Sequence, residues 1–346
     1  MAWGGFRRLV LSENFVLYLS LLMFALLWLF IPRIASPMNL SNISSNMWPL
    51  FALVVGQMFV LILGGIDLSQ ASTMGLVSVV GGIIMSSRLD PALFAKNPLW
   101  GFVLSADGGL LGGSMLAVPV GIAAMLGVGM LVGLINGLAV AKFKMPAFMV
   151  TLVAMIFVRG LAIYLTRSEN ISYLPDAYVA IGTGQIGFVP YSFFVALVLG
   201  LVAHTVLNFT LWGRWFFAVG KNVRTSVVSG VPADKVIILG YVFSGFCAAV
   251  GSILYSARLA GGRPTLGQDL LLDIIGAAVI GGISLFGGKG KVLWALFGVL
   301  FFRLLSNSLN MLNLSFYMVN IVKGGVILLA ALLDVTRTRF LAWQAG

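Results

Sequence analysis

The sequence is poor in charge. Only 9% of its 346 residues are Asp, Glu, Lys or Arg, and 60% are hydrophobic. A soluble domain carries about 25% charged residues, so a water-soluble enzyme or binding domain is excluded. There is one cysteine, Cys247, inside an apolar run. It has no partner for an intrachain disulfide, and no Cys/His cluster with metal-ligand spacing exists. There is one histidine, His204, also in an apolar run, where a partnered polar group is expected rather than half of a catalytic pair. No nucleophile–base set is visible. The run from Gly281 to Gly290 has the look of a phosphate loop but lacks its spacing: four residues do not separate a Gly from the Gly288-Lys289 pair, and no Ser or Thr follows Lys289. No ATP site is therefore expected in this chain, and Gly287 to Gly290 reads as a tight turn. The formal net charge is +11. The cations flank apolar runs, which is the pattern of membrane orientation signals, so a lipid bilayer and not nucleic acid is the expected partner.

What is present is long apolar runs. A bilayer crossing takes about 20 residues. Ten spans are expected: Phe15 to Ile31, Met47 to Leu63, Thr73 to Ser87, Ser114 to Val140, Ala147 to Leu165, Tyr191 to Leu211, Val236 to Ala257, Leu270 to Leu285, Val292 to Met311, and Phe316 to Leu333. Pro32 and Pro37 are expected to open an external loop. The first span follows Arg7 and Arg8, and Ile31-Pro32-Arg33 supplies no small-residue cleavage site, so it is expected to be retained. With the N-terminus inside, twelve cations fall on inside segments (Arg7, Arg8, Lys142, Lys144, Arg214, Lys221, Arg224, Lys235, Lys289, Lys291, Arg337, Arg339) and six on outside ones. That two-to-one bias predicts cytoplasmic N- and C-termini. The expected fold class is an all-α integral membrane protein, one transmembrane domain over residues 1–346.

The two halves echo each other. A Gly-rich break before Gly81-Gly82 is matched by one before Gly281-Gly282, and Ile135-Asn136-Gly137 by Leu305-Ser306-Asn307. A first repeat of about 1–165 and a second of about 191–334 would each hold five spans. An odd number makes the repeats inverted, an arrangement found in transporters with the pathway near the repeat interface. Between them lies a basic stretch of about 212–236. It contains a helix pattern: Asn222 as cap, two turns from Val223 to Ser229, Gly230 as stop, Pro232 against restart. A capped helix on a basic loop reads as a docking element; a plain solvated loop is the alternative.

Polar residues inside the spans are costly, about 2.5–3.5 kcal/mol for a charge at mid-bilayer, and normally face protein or water. Arg303, Asn307 and Asn310 share one helix face, as do Asn320 and Lys323. Asp273 is the natural ion partner of Arg303 or Lys323. With Asp67, Ser69, Asn136 and Thr151 these form the candidate lining of a hydrophilic path: Asp67, Ser69, Asn136, Thr151, Asp273, Arg303, Asn307, Asn310 and Asn320. Interhelical hydrogen bonding that only fixes packing is the alternative use of such groups. Gly129, Gly133 and Gly137 recur every four residues and predict a close-packed helix neighbour.

From about Asn46 to Asp334 the chain resembles the membrane permease subunit of bacterial ABC importers for ribose and related monosaccharides. The matching stretches are Gly64-Gly65-Ile66-Asp67-Leu68-Ser69, Ile135 to Val140, Pro146 to Leu152, Gly213-Arg214, Ala218 to Asn222, Ser229-Gly230-Val231, Leu272 to Gly282, Gly287 to Gly290, Asn307 with Leu309-Asn310, and Ile321 to Gly324. The departures are Gln70-Ala71 after the Asp-Leu-Ser and Arg303 in a span usually uncharged there. The resemblance implies a multi-pass inner-membrane subunit without catalytic activity. Its implied partners are a second permease, identical or homologous, two cytoplasmic ATPase subunits that hold the ATP and magnesium, and a periplasmic sugar-binding protein. It also implies that the central loop contacts the ATPase, with Gly213, Arg214, Gly220, Asn222, Arg224, Ser229, Gly230, Val231 and Asp234 as the coupling residues. The rivals are an ABC permease for branched-chain amino acids, an ion-coupled secondary transporter using Asp273 or Asp67, and an intramembrane enzyme, which the missing catalytic set disfavours.

Overall fold

A computed structural model describes residues 14–345, with side chains described up to residue 332. Arg7 and Arg8 lie outside the described residues, as do the side chains of Arg337 and Arg339. The chain is mainly helical: α1 Phe15–Phe30, α2 Pro37–Ile62, α3 Gln70–Met85, a short α4 Pro91–Phe94, α5 Ala117–Ala141, α6 Ala147–Thr166, α7 Asp176–Thr183, α8 Tyr191–Phe209, α9 Leu211–Lys221, α10 Val223–Val228, α11 Ala233–Arg258, α12 Leu271–Gly281, α13 Val292–Met311 and α14 Phe316–Ala345. A two-residue hairpin, β1 Gln185–Ile186 and β2 Val189–Pro190, precedes α8. Among the described residues, six helices are long and apolar enough to cross a membrane: α2, α5, α6, α8, α11 and α13. The helices α1, α3 and α14 (to Leu332) are apolar but shorter.

Helices α2 and α11 form the centre and pack on each other. Their middle stretches are almost wholly buried, among them Leu50 to Val55 and Cys247 to Ala249. Around them the halves repeat one set of neighbours. In the first half α3 packs on α5, α6 and α11; in the second α12 packs on α13, α14 and α2. Likewise α5 packs on α11, and α13 on α2. The most extensive of these contacts is α5 on α11. A Cβ at Gly129 or Gly133 would run into the backbone of Gly245 or Tyr241, and one at Gly137 would lie 2.9 Å from Ile238 Cα. The four-residue glycine spacing thus makes the predicted groove, and the neighbour is α11.

Several expectations need correction. The second helix begins at Pro37 and not near Met47. Ser36 caps it by accepting from Asn39 N–H (3.4 Å), and Pro37 stands at its first turn. A proline there costs no hydrogen bond and favours a helix start over a loop. The eighth stretch is helical only over the 11 residues of α12, because Gly282 adopts φ +99° and ends it. The third helix stops at Met85. The central stretch is not a loop with one small helix. Thr210 caps an additional amphipathic helix, α9, which places Phe216 and Val219 inside and Arg214 and Lys221 outside. Pro232 ends the turn after α10, but α11 starts on the very next residue.

Candidate functional site

Polar side chains gather at both ends of α2. At its C-terminal end the helix closes with Gly64 N–H on the Leu61 carbonyl (2.8 Å) and Gly65 N–H on the Val60 carbonyl (3.0 Å). Gly64 has φ +79°, a left-handed conformation that glycine adopts at no cost. The chain then turns through Asp67 into α3. Asp67 Oδ1 accepts from Ser69 N–H (3.0 Å) and Ser69 Oγ (2.6 Å), and Oδ2 accepts from Ser244 Oγ of α11 (2.7 Å). Asn136 of α5 donates to Ser69 Oγ (2.8 Å), and Thr151 of α6 donates to the Ile66 carbonyl (3.0 Å). Gln57, with its amide nitrogen toward the Asp67 carbonyl, donates there (3.1 Å) and accepts from Asp67 N–H (3.2 Å). All four candidate residues of this group are at most 2% exposed. Asp67, Ser69 and Asn136 are bonded in series and Thr151 holds the neighbouring Ile66 carbonyl, so together they fix the break where five helices meet. Ser244 and Gln57 escaped the sequence analysis. Gln57 was visible as a lone amide in an apolar run; Ser244 carried no local mark, because its role depends on a contact 177 residues distant in sequence.

The second group lies toward the N-terminal end of α2, against α12, α13 and α14. Lys323 Nζ reaches Asp273 Oδ1 at 2.7 Å, and Arg303 Nη1 lies 3.9 Å from Oδ2. Asp273 therefore serves both cations, where one partner was expected. Arg303 also donates to Tyr255 Oη (2.6 Å). Asn307 and Asn39 exchange two amide hydrogen bonds, 3.0 and 2.9 Å. Beside them opens a cavity of ≈ 90 Å³ lined by Asn42, Ile43, Asn46, Arg303, Ser306, Asn307 and Asn310. The predicted stripe Arg303/Asn307/Asn310 is thus one wall. The other wall, Asn42 and Asn46, was missed because those residues were assigned to a loop. Asn39, Asn42 and Asn46 stand at helical spacing on one face, which is the pattern that reveals them. Asn320 is half-buried on α14 and does not line this cavity.

The third group is the central segment. Asn222 Oδ1 accepts from Thr225 N–H (3.0 Å) and caps α10. Arg224, Ser229 and Gly230 are exposed, and Gly230 takes φ +82° at the helix end. Val231 packs on the central core. Gly213 and Gly220 serve contact rather than exposure: a Cβ at Gly213 would strike the Leu207 carbonyl, and one at Gly220 the Ile62 carbonyl. Ile62 also accepts from Gly288 N–H (2.8 Å), so α9, the end of α2 and the turn at Gly287–Gly288 meet at one point. Asp234 bonds Lys144 (2.6 Å) and approaches Lys142 (3.7 Å), tying the start of α11 to the α5–α6 turn.

A multi-pass helical chain with long apolar helices and an interior of paired charges and amides has the make-up of a membrane protein. Comparison with known proteins names the class. The pattern of the family described as "Branched-chain amino acid transport system / permease component" matches residues 39–331, and the chain belongs to that family. The chain is 32% identical to the ribose import permease protein of Haemophilus influenzae over 332 residues, covering 95% of this chain and 94% of that one. It is 28% identical to the L-arabinose ABC transporter permease protein of Azospirillum brasilense (97% and 91% covered) and to the xylose transport system permease protein of H. influenzae (95% and 98%). No solved structure matches it.

Proposed function

We propose that the chain is the non-enzymatic translocation subunit of an ATP-driven importer, which passes a monosaccharide from a periplasmic binding protein into the cytoplasm. The observation that carries this is the likeness, over almost the full length of both chains, to permeases of ribose, arabinose and xylose. The family's description also mentions branched-chain amino acids. A pocket for those would be apolar, whereas six of the seven residues lining the cavity beside α2 carry hydrogen-bonding side chains. The bulk of the binding energy belongs to the binding protein in this scheme, so the permease needs only a weak polar lining.

The ten-crossing topology, with both termini in the cytoplasm and two inverted five-helix repeats, belongs to the same proposal. The matching neighbour sets of α3 and α12, and of α5 and α13, support it. In this orientation the cavity lies in the outer half and the Asp67 break in the inner half. They are separated by some 16 residues of α2, or about 24 Å, with the buried apolar stretch Leu50 to Val55 between them.

The ATP and magnesium would be held by two ATPase subunits, and a second permease subunit would complete the assembly. Helix α10 is the proposed contact with the ATPase. Its Val228 is 90% exposed, an apolar group that nothing among the described residues covers. Movement there would pass through Gly220 to the Ile62 end of α2, and through Asp234 to the α5–α6 turn. A strain lacking this chain, re-supplied with it, tests the function: uptake of labelled ribose, arabinose or xylose should return only when the chain is present, and failure with every pentose and hexose tried would refute it.

A further inference from the structure

The polar cavity beside α2 is unbalanced in two respects, charge and hydrogen bonding. Its wall residue Arg303 and the neighbouring Lys323 share the single carboxylate of Asp273, and Lys323 holds the closer position, 2.7 Å against 3.9 Å. Arg258, at the end of α11, lies within electrostatic reach of Arg303 and Tyr255. The other acid on the Asp273 face, Asp269, is exposed. Two cations thus share one buried carboxylate, and a third, Arg258, stands near Arg303 with no acid paired to it among the described residues. The hydrogen-bond balance leans the same way: Arg303 Nε and Arg258 Nη1 are buried N–H donors without an acceptor among the described residues. A buried donor left without an acceptor is costly, and more so when it is charged. Beside Arg303 the wall offers the amides of Asn42, Asn46, Asn307 and Asn310 and the unpartnered Ser306 hydroxyl, which suit neutral hydroxyl groups. The volume of ≈ 90 Å³ is below the roughly 150 Å³ that admits a benzene ring, so the cavity takes one end of a small solute and not the whole. Asn42 and Asn310 are exposed at its mouth, where the remainder would emerge.

We propose that this cavity receives the carboxylate end of an acidic monosaccharide, with Arg303 as the residue that selects for the charge. This rests on the importer reading and narrows it: the solute is a sugar acid, the carboxylate meets Arg303, and the asparagine amides meet the hydroxyls next to it.

The matched pair D-galacturonate and D-galactose isolates the carboxylate. Binding of each to the purified full-length chain in lipid nanodiscs is measured by titration calorimetry and by the shift in melting temperature. Galacturonate should bind at least tenfold tighter than galactose and raise the melting temperature. Arg303→Gln should abolish the difference. Because that variant also loses the Tyr255 contact, Asn42→Asp serves as the second: it puts a negative charge at the exposed mouth, should leave the unliganded melting temperature unchanged, and should weaken galacturonate at least tenfold. Equal binding of the two sugars, or unchanged galacturonate binding by Asn42→Asp, would overturn the proposal. So would full competition by inorganic phosphate or acetate at equal concentration, which would mark a bare anion site. The importer reading fails separately: ATP-driven uptake of a neutral sugar without galacturonate binding sinks only the carboxylate site, whereas galacturonate binding without ATP-driven uptake of any sugar sinks the importer and leaves the site.

Discussion

At the scale of single residues, the heaviest consequence attaches to Asp273. It is 2% exposed and holds Lys323 and Arg303 together. Removing one partner of a buried pair costs about 3–5 kcal/mol, because the other charge is left in place. Asp273→Asn strands two cations, while Lys323→Met leaves Arg303 to take the carboxylate. Asp273→Asn should therefore lower the melting temperature of the detergent-purified protein more than Lys323→Met does. The reverse order would mean that Arg303 gains nothing from the carboxylate at 3.9 Å. The ion pair itself was legible in the sequence from charges at mid-span, since such groups must face a partner. That one acid serves both cations was not, because it depends on how α12, α13 and α14 come together. His204 shows the same limit. A polar partner was expected, and it proves to be Asn208, one turn along the same helix, at 3.2 Å.

At the scale of elements, α5 and α11 make the sharpest case. Gly133 sits on the Tyr241 carbonyl with no space for a side chain. Gly133→Val should push the helices apart at the centre of the molecule, and overpacking of this kind costs upward of about 1–3 kcal/mol. Thermal unfolding and yield of folded protein measure it; a variant that melts like the native protein would show that the helices slide freely. Helix α10 carries a functional prediction. Arg224→Glu should reduce both uptake and co-purification of the ATPase with folding intact, since Arg224 is exposed; adding Gly230→Trp, which strains the helix end at φ +82°, should reduce both further. Normal values for both would remove α10 as the coupling element. Asn222→Ala should weaken the helix by about 1 kcal/mol through loss of its cap and reduce uptake less than the double variant does. The short helix was legible because its cap, its length and its glycine stop are all local. The preceding α9 was not seen, since Leu211 to Lys221 is too short for a span and its basic residues drew attention away from the apolar face of Phe216 and Val219. The start of α2 was missed for a related reason: two prolines within six residues suggested a loop, although Ser36-Pro37 is a helix start.

For the molecule as a whole, apolar runs separated by glycine, proline and charge were enough to locate most long helices in the sequence, since a bilayer leaves the backbone few alternatives to a helix. The order of packing was less accessible. That α2 and α11 occupy the centre follows from which helix faces carry glycine and small residues, and of these only the α5 stripe stood out beforehand. The polar clusters at the two ends of α2 were half legible: the α13 wall showed as a stripe, the α2 wall was hidden by a misplaced boundary, and the group around Asp67 joins the turn after α2 to side chains of four separate helices. The proposed topology is open to direct measurement. Single cysteines placed at Ser87 and at Arg224, in a background with Cys247 replaced, should react with a membrane-impermeant maleimide from opposite sides of the membrane.

The central claim is that ATP hydrolysed by partner subunits, and not an ion gradient, drives a sugar through this chain. Proteoliposomes containing the chain with its ATPase and binding protein should accumulate labelled sugar only when ATP and magnesium are on the ATPase side and the binding protein is on the other. The chain alone should accumulate none under a proton or sodium gradient. Uptake by the chain alone, driven by either gradient, would contradict the account.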